Sequence, residues 1–457
     1  MERTRRQRSG RKAGSVTATA GTGRGRPGGS LLPLEAALEQ ILAGAVPLGA
    51  EDVPVADAAG RVLAEPVVAR TSLPPWDNSA MDGFAVRSGD VADASAVHPA
   101  ILRVVGEVAA GHAPVRAVEA GEALRITTGA MLPGGADAVV PVEDTDADPG
   151  ALALPPTVRV RVPAPAGANV RHLGEDIRAG DTVLSAGRIM GPAGVALAAA
   201  SGAATVAVHR RPRVTVLATG DELVAPGAPL GPGQIHDSNT PALLAQAGAA
   251  GAVALPGGIV PDEPAVLAER LAWAIGASDV VVLSGGVSVG AHDHVKDALQ
   301  ALGRIEFWRV AIQPGKPLAF GRTTAGRGGT VPDPDRPVAL FGLPGNPVSA
   351  FVTFELFVRP LLRVLGGRGA DRGRRVYRAV LAEAVSKSSE RRAFIRVRLE
   401  ADPAGSGGLV ARPAGGQGSH VLSALAAADG LAVIPEGTPG LPAGSEVEVW
   451  ELAEEGG

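Results

Sequence analysis

The strongest constraint on the fold lies between residues 212 and 366, where short unbroken apolar runs alternate with stretches of helical periodicity. Residues 214–218, 252–255, 280–283 and 338–341 are runs of Val, Leu, Ala and Phe with Thr215 as the one polar member, short enough to be strands and largely apolar on both faces. Residues 240–247, 264–275, 294–302 and 348–365 instead repeat apolar side chains at helical spacing. Strands of this kind with helices between them make a parallel sheet covered on both sides. Residues 212–366 are therefore predicted to be an α/β domain with a mostly parallel sheet.

A chain of 457 residues exceeds one ordinary core, so further domains are expected. Residues 32–42 carry the pattern of an amphipathic helix. Between residues 64 and 170 come many short apolar runs broken by Gly and Pro, among them 101–108, 123–127 and 158–162. Their spacing suits a β-rich domain. Helical character returns around residues 192–200, so residues 64–170 are read as inserted into a helical linker domain made of 31–63 and 171–211. After the Gly- and Arg-rich stretch 366–375, residues 375–457 show strand alternation, as at 394–399 and 447–450, and are expected to form a small C-terminal β-barrel. Residues 1–30 hold eight basic side chains and one acid. With almost nothing apolar to bury, they are expected to be a disordered basic arm.

Composition removes several chemistries. There is no cysteine, which excludes disulfides, thiolate zinc sites and a cysteine nucleophile. The one close histidine pair, His292 and His294, lacks the i, i+4 spacing of a zinc-binding helix. No apolar run approaches the ~20 residues of a membrane span, and no apolar stretch follows the Arg5-Arg6 pair, as an export signal would require. A soluble, cytoplasmic enzyme with no membrane or nucleic-acid partner is expected.

In parallel α/β sheets, ligands bind beyond the carboxyl ends of the strands, and the loops leaving these strands are unusual. The first is SGGVSVGAHD, residues 284–293, in which Ser284, Gly285, Gly286, Ser288 and Gly290 would let backbone N–H groups approach an anion ahead of a helix N-terminus. A plain turn explains such a loop as well. It matches neither the dinucleotide nor the P-loop pattern. Asp293 at its end reads either as a magnesium ligand beside phosphate or as an N-cap. ATGDEL brings Asp221 and Glu222 to the same rim and the DSN segment adds Asp237, all either ligands or solvated caps. GLPGNPVS is stiffened by Pro344 and Pro347 and offers the Ser349 hydroxyl and free N–H groups in a first helical turn. IQPGKP presents Lys316 on a rigid turn, either as an oxyanion contact or as a solvated lysine. In DNSAMDGFAVR, residues 77–87, a turn would expose Asp82, with no nucleophile or base evident nearby.

Together these segments resemble the molybdopterin molybdenumtransferase family, that of MoeA and the corresponding region of gephyrin. The matching segments stand in the family's order: DNSAMDGFAV, RITTGAMLPGGADAVVPVEDT, NVRHLGEDI, ATGDEL, SGGVSVGAHD, PGKPLAFG, GLPGNPVSAF and GGQGSH. The resemblance implies insertion of molybdate into adenylylated molybdopterin with release of AMP, magnesium as the cofactor, and a homodimer with the active cleft between subunits. It further implies that Asp82, Thr128, Arg171 and Asp176 line that cleft from the β-rich side, and Glu222, Asp262 and Asp293 from the α/β side. The adenylylated pterin would follow the Gly-rich loop, and molybdate would sit near Lys316, Pro317, Ser349, Arg396 and Ser419. One departure is Gln313, where the family commonly has lysine. The alternatives are the preceding adenylylation step, whose enzyme shares the α/β domain, and a non-catalytic molybdopterin-binding scaffold.

Overall fold

Uninterrupted Val and Leu runs form the middle of a six-stranded sheet. Its spatial order is Val253–Val260, Arg213–Thr219, Val280–Ser284, Val338–Leu343, Pro317–Thr323 and Arg304–Arg309. The first four strands are mutually parallel. The last two run antiparallel and make one edge. Periodicity alone missed that edge pair, because Glu306, Arg309 and Arg322 interrupt its apolar runs and a solvated edge tolerates the interruption. The computed structural model describes residues 31–150, 152–286, 304–323, 337–369, 373–387, 390–402 and 407–452, together with Ala298. The expected arm at 1–30, the expected helix at 294–302 apart from Ala298, and Ser288, Gly290 and Asp293 lie outside the described residues.

Successive side chains of one strand serve opposite cores, as the period-two pleat requires. Val280 and Val282 pack with Val214, Val216 and Phe341 on one face, while Val281 and Leu283 pack with Leu217 and Leu340 on the other. Helix Pro264–Ala277 covers the second face through Leu267, Leu271 and Ala274. The first face is covered by Leu243 and Ala247 of helix Asn239–Ala249 and by the helical run from Pro347 to Leu365. The N-terminal helix Leu34–Leu42 buries Leu34, Ala37 and Ile41 in that same core. At its C-terminal end, Arg322 donates to the carbonyls of Ile41 at 2.6 Å and Ala43 at 3.0 Å. Such carbonyls lack intrahelical partners, and a cation there is favoured by the helix dipole.

The run expected as one helix at 348–365 widens in its middle. Helix Pro347–Thr353 passes through a π turn, Phe354–Val358, into helix Arg359–Leu365. Pro360 has no N–H to donate, and a π turn accommodates the missing bond. Glu355 lies in that turn, fully buried. Its carboxylate accepts two bonds from Arg374, at 2.9 and 3.1 Å, and one from Gln246 Nε2 at 2.7 Å. This network fastens the segment that leads to the C-terminal barrel.

The expected helical linker holds short strands beside its helices. Ala50–Pro54 pairs with Thr205–His209, and Val67–Val68 with Thr182–Leu184, both antiparallel. Helix Pro192–Ala200 packs on them through Ala198. The alternation in AEDVP and TVAVH is too short to have stood out against the helix. Between these pairs lies a five-stranded sheet ordered Ala138–Pro141, Gly83–Val86, Glu122–Ile126, Ala100–Val108 and Thr157–Val160, with a core on each face. The C-terminal barrel closes on itself: Arg392–Ala401, Leu409–Pro413, Val376–Leu381, Glu446–Glu451 and Gly430–Ile434 pair in turn, and the last pairs back to the first. No helix among the described residues is long and apolar enough to cross a membrane.

Replacing Glu355 with Gln should lower unfolding stability by about 3 kcal/mol, because it leaves buried guanidinium groups without their counter-charge. Denaturant titration measures this, and a loss below about 1 kcal/mol would show that the network contributes little to holding the fold.

Candidate functional site

The carboxyl ends of the parallel strands open into a cleft of about 970 Å³. Thr219 and Ser284 end two of these strands, Asp262 follows a third, and Pro344 follows the fourth. The opposite wall comes from the barrel through Arg391, Gln417, Gly418, Ser419 and His420. Of the sequence candidates on the α/β side, Glu222, Asp262, Ser284, Gly285, Gly286, Gln313, Lys316, Pro317, Pro344, Pro347 and Ser349 all line this cleft. Ser419 lines it from the barrel.

Glycine is required where strands and loops converge. Gly285 has φ +96°, and a Cβ there would stand 2.7 Å from the Thr219 carbonyl oxygen. Its N–H donates to the Leu343 carbonyl at 3.2 Å, which ties the first loop to the third. Gly220 has φ +144°, and a Cβ on it would overlap the Glu222 carboxylate, which folds back over this glycine. Beside Gly285, the Thr219 hydroxyl is buried and has no hydrogen-bond partner. A buried hydroxyl of this kind is usually satisfied, and no described residue satisfies this one.

Asn239, read from sequence as part of a polar turn, ties the rim together. Its Nδ2 donates both to Ser284 Oγ and to the Gly345 carbonyl, each at 2.8 Å, and so joins three loops far apart in sequence. The neighbouring Asp237 has a capping role: its carboxylate accepts the Thr240 N–H at 3.0 Å in the first turn of helix Asn239–Ala249. The N–H groups expected to be free at residues 347–349 are partly used, because Val348 N–H donates to the Ser419 carbonyl at 3.1 Å. That bond holds the barrel loop against the α/β rim.

Arg396 stands behind the cleft rather than in it. It is 1% exposed, and one terminal nitrogen donates to the carbonyls of Gly416 at 2.9 Å and Gly418 at 3.1 Å. Gln417 reinforces this loop by accepting from Arg396 N–H at 2.9 Å and donating to the Arg396 carbonyl at 3.1 Å. Arg391, five positions earlier, is the arginine that lines the cleft. No spacing rule pointed to it, since it is one of several arginines ahead of an alternating strand.

Asp82, Thr128, Arg171 and Asp176 do not line this cleft; all four are exposed on the β-rich part of the chain. Asp82 accepts both the Thr128 N–H, at 2.6 Å, and its hydroxyl, at 3.1 Å. Asn78 pairs across strands with Arg171, and Asp77 accepts the Leu173 N–H at 2.6 Å. Three of the sequence segments, around residues 77–82, 128–132 and 170–176, are thereby folded into one surface. The Asp176 N–H donates to the Leu73 carbonyl at its edge. Among the described residues, no three His, Asp or Glu side chains gather in a way that could hold a metal ion.

Comparison with known proteins covers nearly all of the described chain. Residues 32–202 match the MoeA N-terminal region (domain I and II), residues 215–364 a probable molybdopterin binding domain, and residues 378–452 the MoeA C-terminal region (domain IV). Molybdopterin molybdenumtransferase 2 of Mycobacterium tuberculosis is 41% identical over 88% of this chain and 94% of its own length. Molybdopterin molybdenumtransferase of Nostoc sp. is 39% identical over 86% of each chain. Among solved structures, the molybdopterin biosynthesis MoeA protein of Pyrococcus horikoshii superposes with a TM-score of 0.76 at 36% identity. That match spans 93% of this chain and all of the other.

Gly285→Ala should cost about 2 kcal/mol of stability, because the new Cβ meets a backbone carbonyl at a left-handed φ. Gly345→Ala, whose Cβ would have its nearest neighbour at 3.8 Å, should change little. Equal unfolding midpoints for the two variants would show that the strand-end contact is not the constraint described.

Proposed function

The chain belongs to the molybdopterin molybdenumtransferase (MoeA) family, and from that premise we propose that it inserts molybdenum into molybdopterin during molybdenum cofactor biosynthesis. The observation that carries this reading is the cleft itself, built jointly by the molybdopterin-binding type of α/β domain and the MoeA C-terminal barrel. The preceding adenylylation step is not favoured, because named molybdenumtransferases match along almost their whole length, including the N- and C-terminal regions.

In this reading the adenylylated pterin lies along the strand ends. Its phosphates meet backbone N–H groups of the Gly-rich loop that follows Ser284, other than the Gly285 N–H that is bonded to Leu343. Molybdate, a tetrahedral dianion, is held at the other end of the cleft by Lys316, with Gln313, Ser349 and Ser419 donating hydrogen bonds. Arg396 keeps the Gly416–Gly418 carbonyls turned away from the anion and so supports that pocket from behind. Positioning brings the dithiolene sulfurs and the oxyanion together, and no covalent enzyme intermediate is needed.

The chemistry of the donor set suits magnesium. Glu222 and Asp262 offer hard oxygen ligands, and an ion that keeps several waters and takes phosphate oxygens from the substrate needs only one or two carboxylates. Such an ion would supply positive charge to the phosphates while water attacks phosphorus and the pyrophosphate bond breaks, releasing AMP. Asp293 is assigned to the same group of ligands. Asp82, Thr128, Arg171 and Asp176 form one exposed surface, which suits a homodimer in which the partner subunit supplies this surface to the cleft. A cytoplasmic enzyme belongs to the same reading.

The test is release of AMP from adenylylated molybdopterin by the purified chain, with molybdate and magnesium added or withheld. AMP should appear only when molybdate is present; release that ignores molybdate would sink the proposal. Asp293→Asn keeps size and capping ability, so turnover at limiting magnesium should fall at least roughly tenfold with little change in melting temperature. Unaltered turnover there would remove Asp293 from the ligand set. Deleting residues 1–30 should leave the rate within about twofold, since that arm has almost no apolar surface with which to dock. A large loss in the truncated protein would bring the arm into the cleft.

A further inference from the structure

Two of the groups proposed to face molybdate, Lys316 and Ser349, come from separate elements. Lys316 stands on the turn that follows Ile312–Gln313, and Ser349 stands in helix Pro347–Thr353. A tetrahedral anion held by both fixes how far apart the two elements must lie, so what spaces the turn from the helix decides whether the pocket fits.

The turn meets the helix at Gly315. This buried glycine has φ +104°, and a Cβ on it would stand 2.6 Å from Thr353 Oγ1 and 3.5 Å from the Ser349 carbonyl oxygen. Thr353 is fully buried, and its hydroxyl donates to that same Ser349 carbonyl at 2.5 Å. Residues four apart share one side of a helix, so Thr353 lies one turn behind Ser349 with its oxygen against both the helix backbone and Gly315. Backbone bonds fix the turn elsewhere: Val310 N–H donates to the Lys316 carbonyl at 2.8 Å, and Ile312–Gln313 pairs with Arg392 and Ala393 of the barrel. Thr353 is itself anchored, because the π turn Phe354–Val358 begins at the next residue and its Glu355 is fastened by Arg374 and Gln246.

We propose that Thr353 is a positioning residue for oxyanion capture: its hydroxyl, seated against Gly315, sets the separation between the Lys316 turn and Ser349. Thr353 does not line the cleft and acts through the two groups that do. A hydroxyl oxygen allows a closer approach to Gly315 than a methyl group would, and a core this tightly packed answers added bulk by shifting its backbone. The inference rests on the cleft being the molybdate site and deepens that reading.

The experiment follows AMP release by the full chain, titrating molybdate at saturating adenylylated molybdopterin and then the pterin at saturating molybdate, for the unaltered protein, Thr353→Val and Thr353→Ser. Valine keeps the branched shape but sets a methyl group against Gly315, whereas serine keeps the hydroxyl and loses the methyl group. Thr353→Val should raise the half-saturating molybdate concentration at least about tenfold, with the half-saturating pterin concentration and the maximal rate each within about threefold, as a loss of uniform binding requires. Thr353→Ser should bring the molybdate value back to within about threefold of the unaltered protein. Serine leaves a buried gap, so if Thr353 only filled the core, serine would be the more damaging of the two. An unchanged molybdate value in Thr353→Val, equal losses in the two variants, or a rise shared by the pterin overturns the assignment. Should Thr353→Val fail to fold, Thr353→Ala, which leaves the turn without its support and does not crowd Gly315, is read against Thr353→Ser by the same criteria. Absence of molybdate-dependent AMP release in the unaltered protein would remove the functional reading and this inference with it, a result seen without any variant. Normal release in the unaltered protein with Thr353→Val unaffected overturns the assignment of Thr353 alone.

Discussion

The joint between the barrel and the α/β domain is the contact on which the cleft depends. Segment Ile312–Gln313 runs beside Arg392 and Ala393, Val348 N–H donates to the Ser419 carbonyl, and Arg374 closes on the buried Glu355 carboxylate. The first two join the α/β domain to the barrel through backbone pairing, and the third fastens the connecting segment by a charge that burial makes costly to leave alone. Without them the strand ends would open onto solvent, and the cleft would have one wall only. With them, Lys316 and Arg391 come to the same end of one cavity.

The same joint explains the division of charge. Glu222 and Asp262 lie on the loops after strands Arg213–Thr219 and Val253–Val260, and Lys316 and Arg391 line the cleft where it meets the barrel. Keeping the two apart prevents their mutual neutralisation, which would leave neither group to act on a ligand. Asn239, by tying Ser284 to the Gly345 carbonyl, holds the loops between these ends at a fixed spacing. Preorganisation of this kind is what positioning chemistry requires.

Much of the α/β architecture could be read from residues alone. Unbroken runs such as VVVL at 280–283 have only one comfortable place, the middle of a sheet covered on both faces, and the glycines and prolines after them mark where the chain must turn tightly. The antiparallel edge strands were hidden because Glu306, Arg309 and Arg322 break their pattern, and the linker strands because AEDVP and TVAVH are short. Arg396 was named for the anion site, yet it is fully buried and bonded to loop carbonyls, while Arg391 faces the cleft. Spacing along a chain says which residues share a strand, but not which of two nearby arginines a barrel turns inward and which it turns toward a cavity.

Local pattern determined the apolar strands at 214–218, 280–283 and 338–341, the turn-forming loops that follow them and the rim candidates Glu222, Ser284, Lys316 and Ser349, because each follows from backbone stereochemistry and burial within a few residues. Tertiary structure alone decided that a barrel loop some 70 residues past Ser349 completes the cleft, that Asn239 bridges three loops, and that Asp82 and its neighbours belong to a separate surface. Those outcomes depend on hydrogen bonds and charge pairs between segments with no sequence relation. Their partners are chosen only when the domains pack.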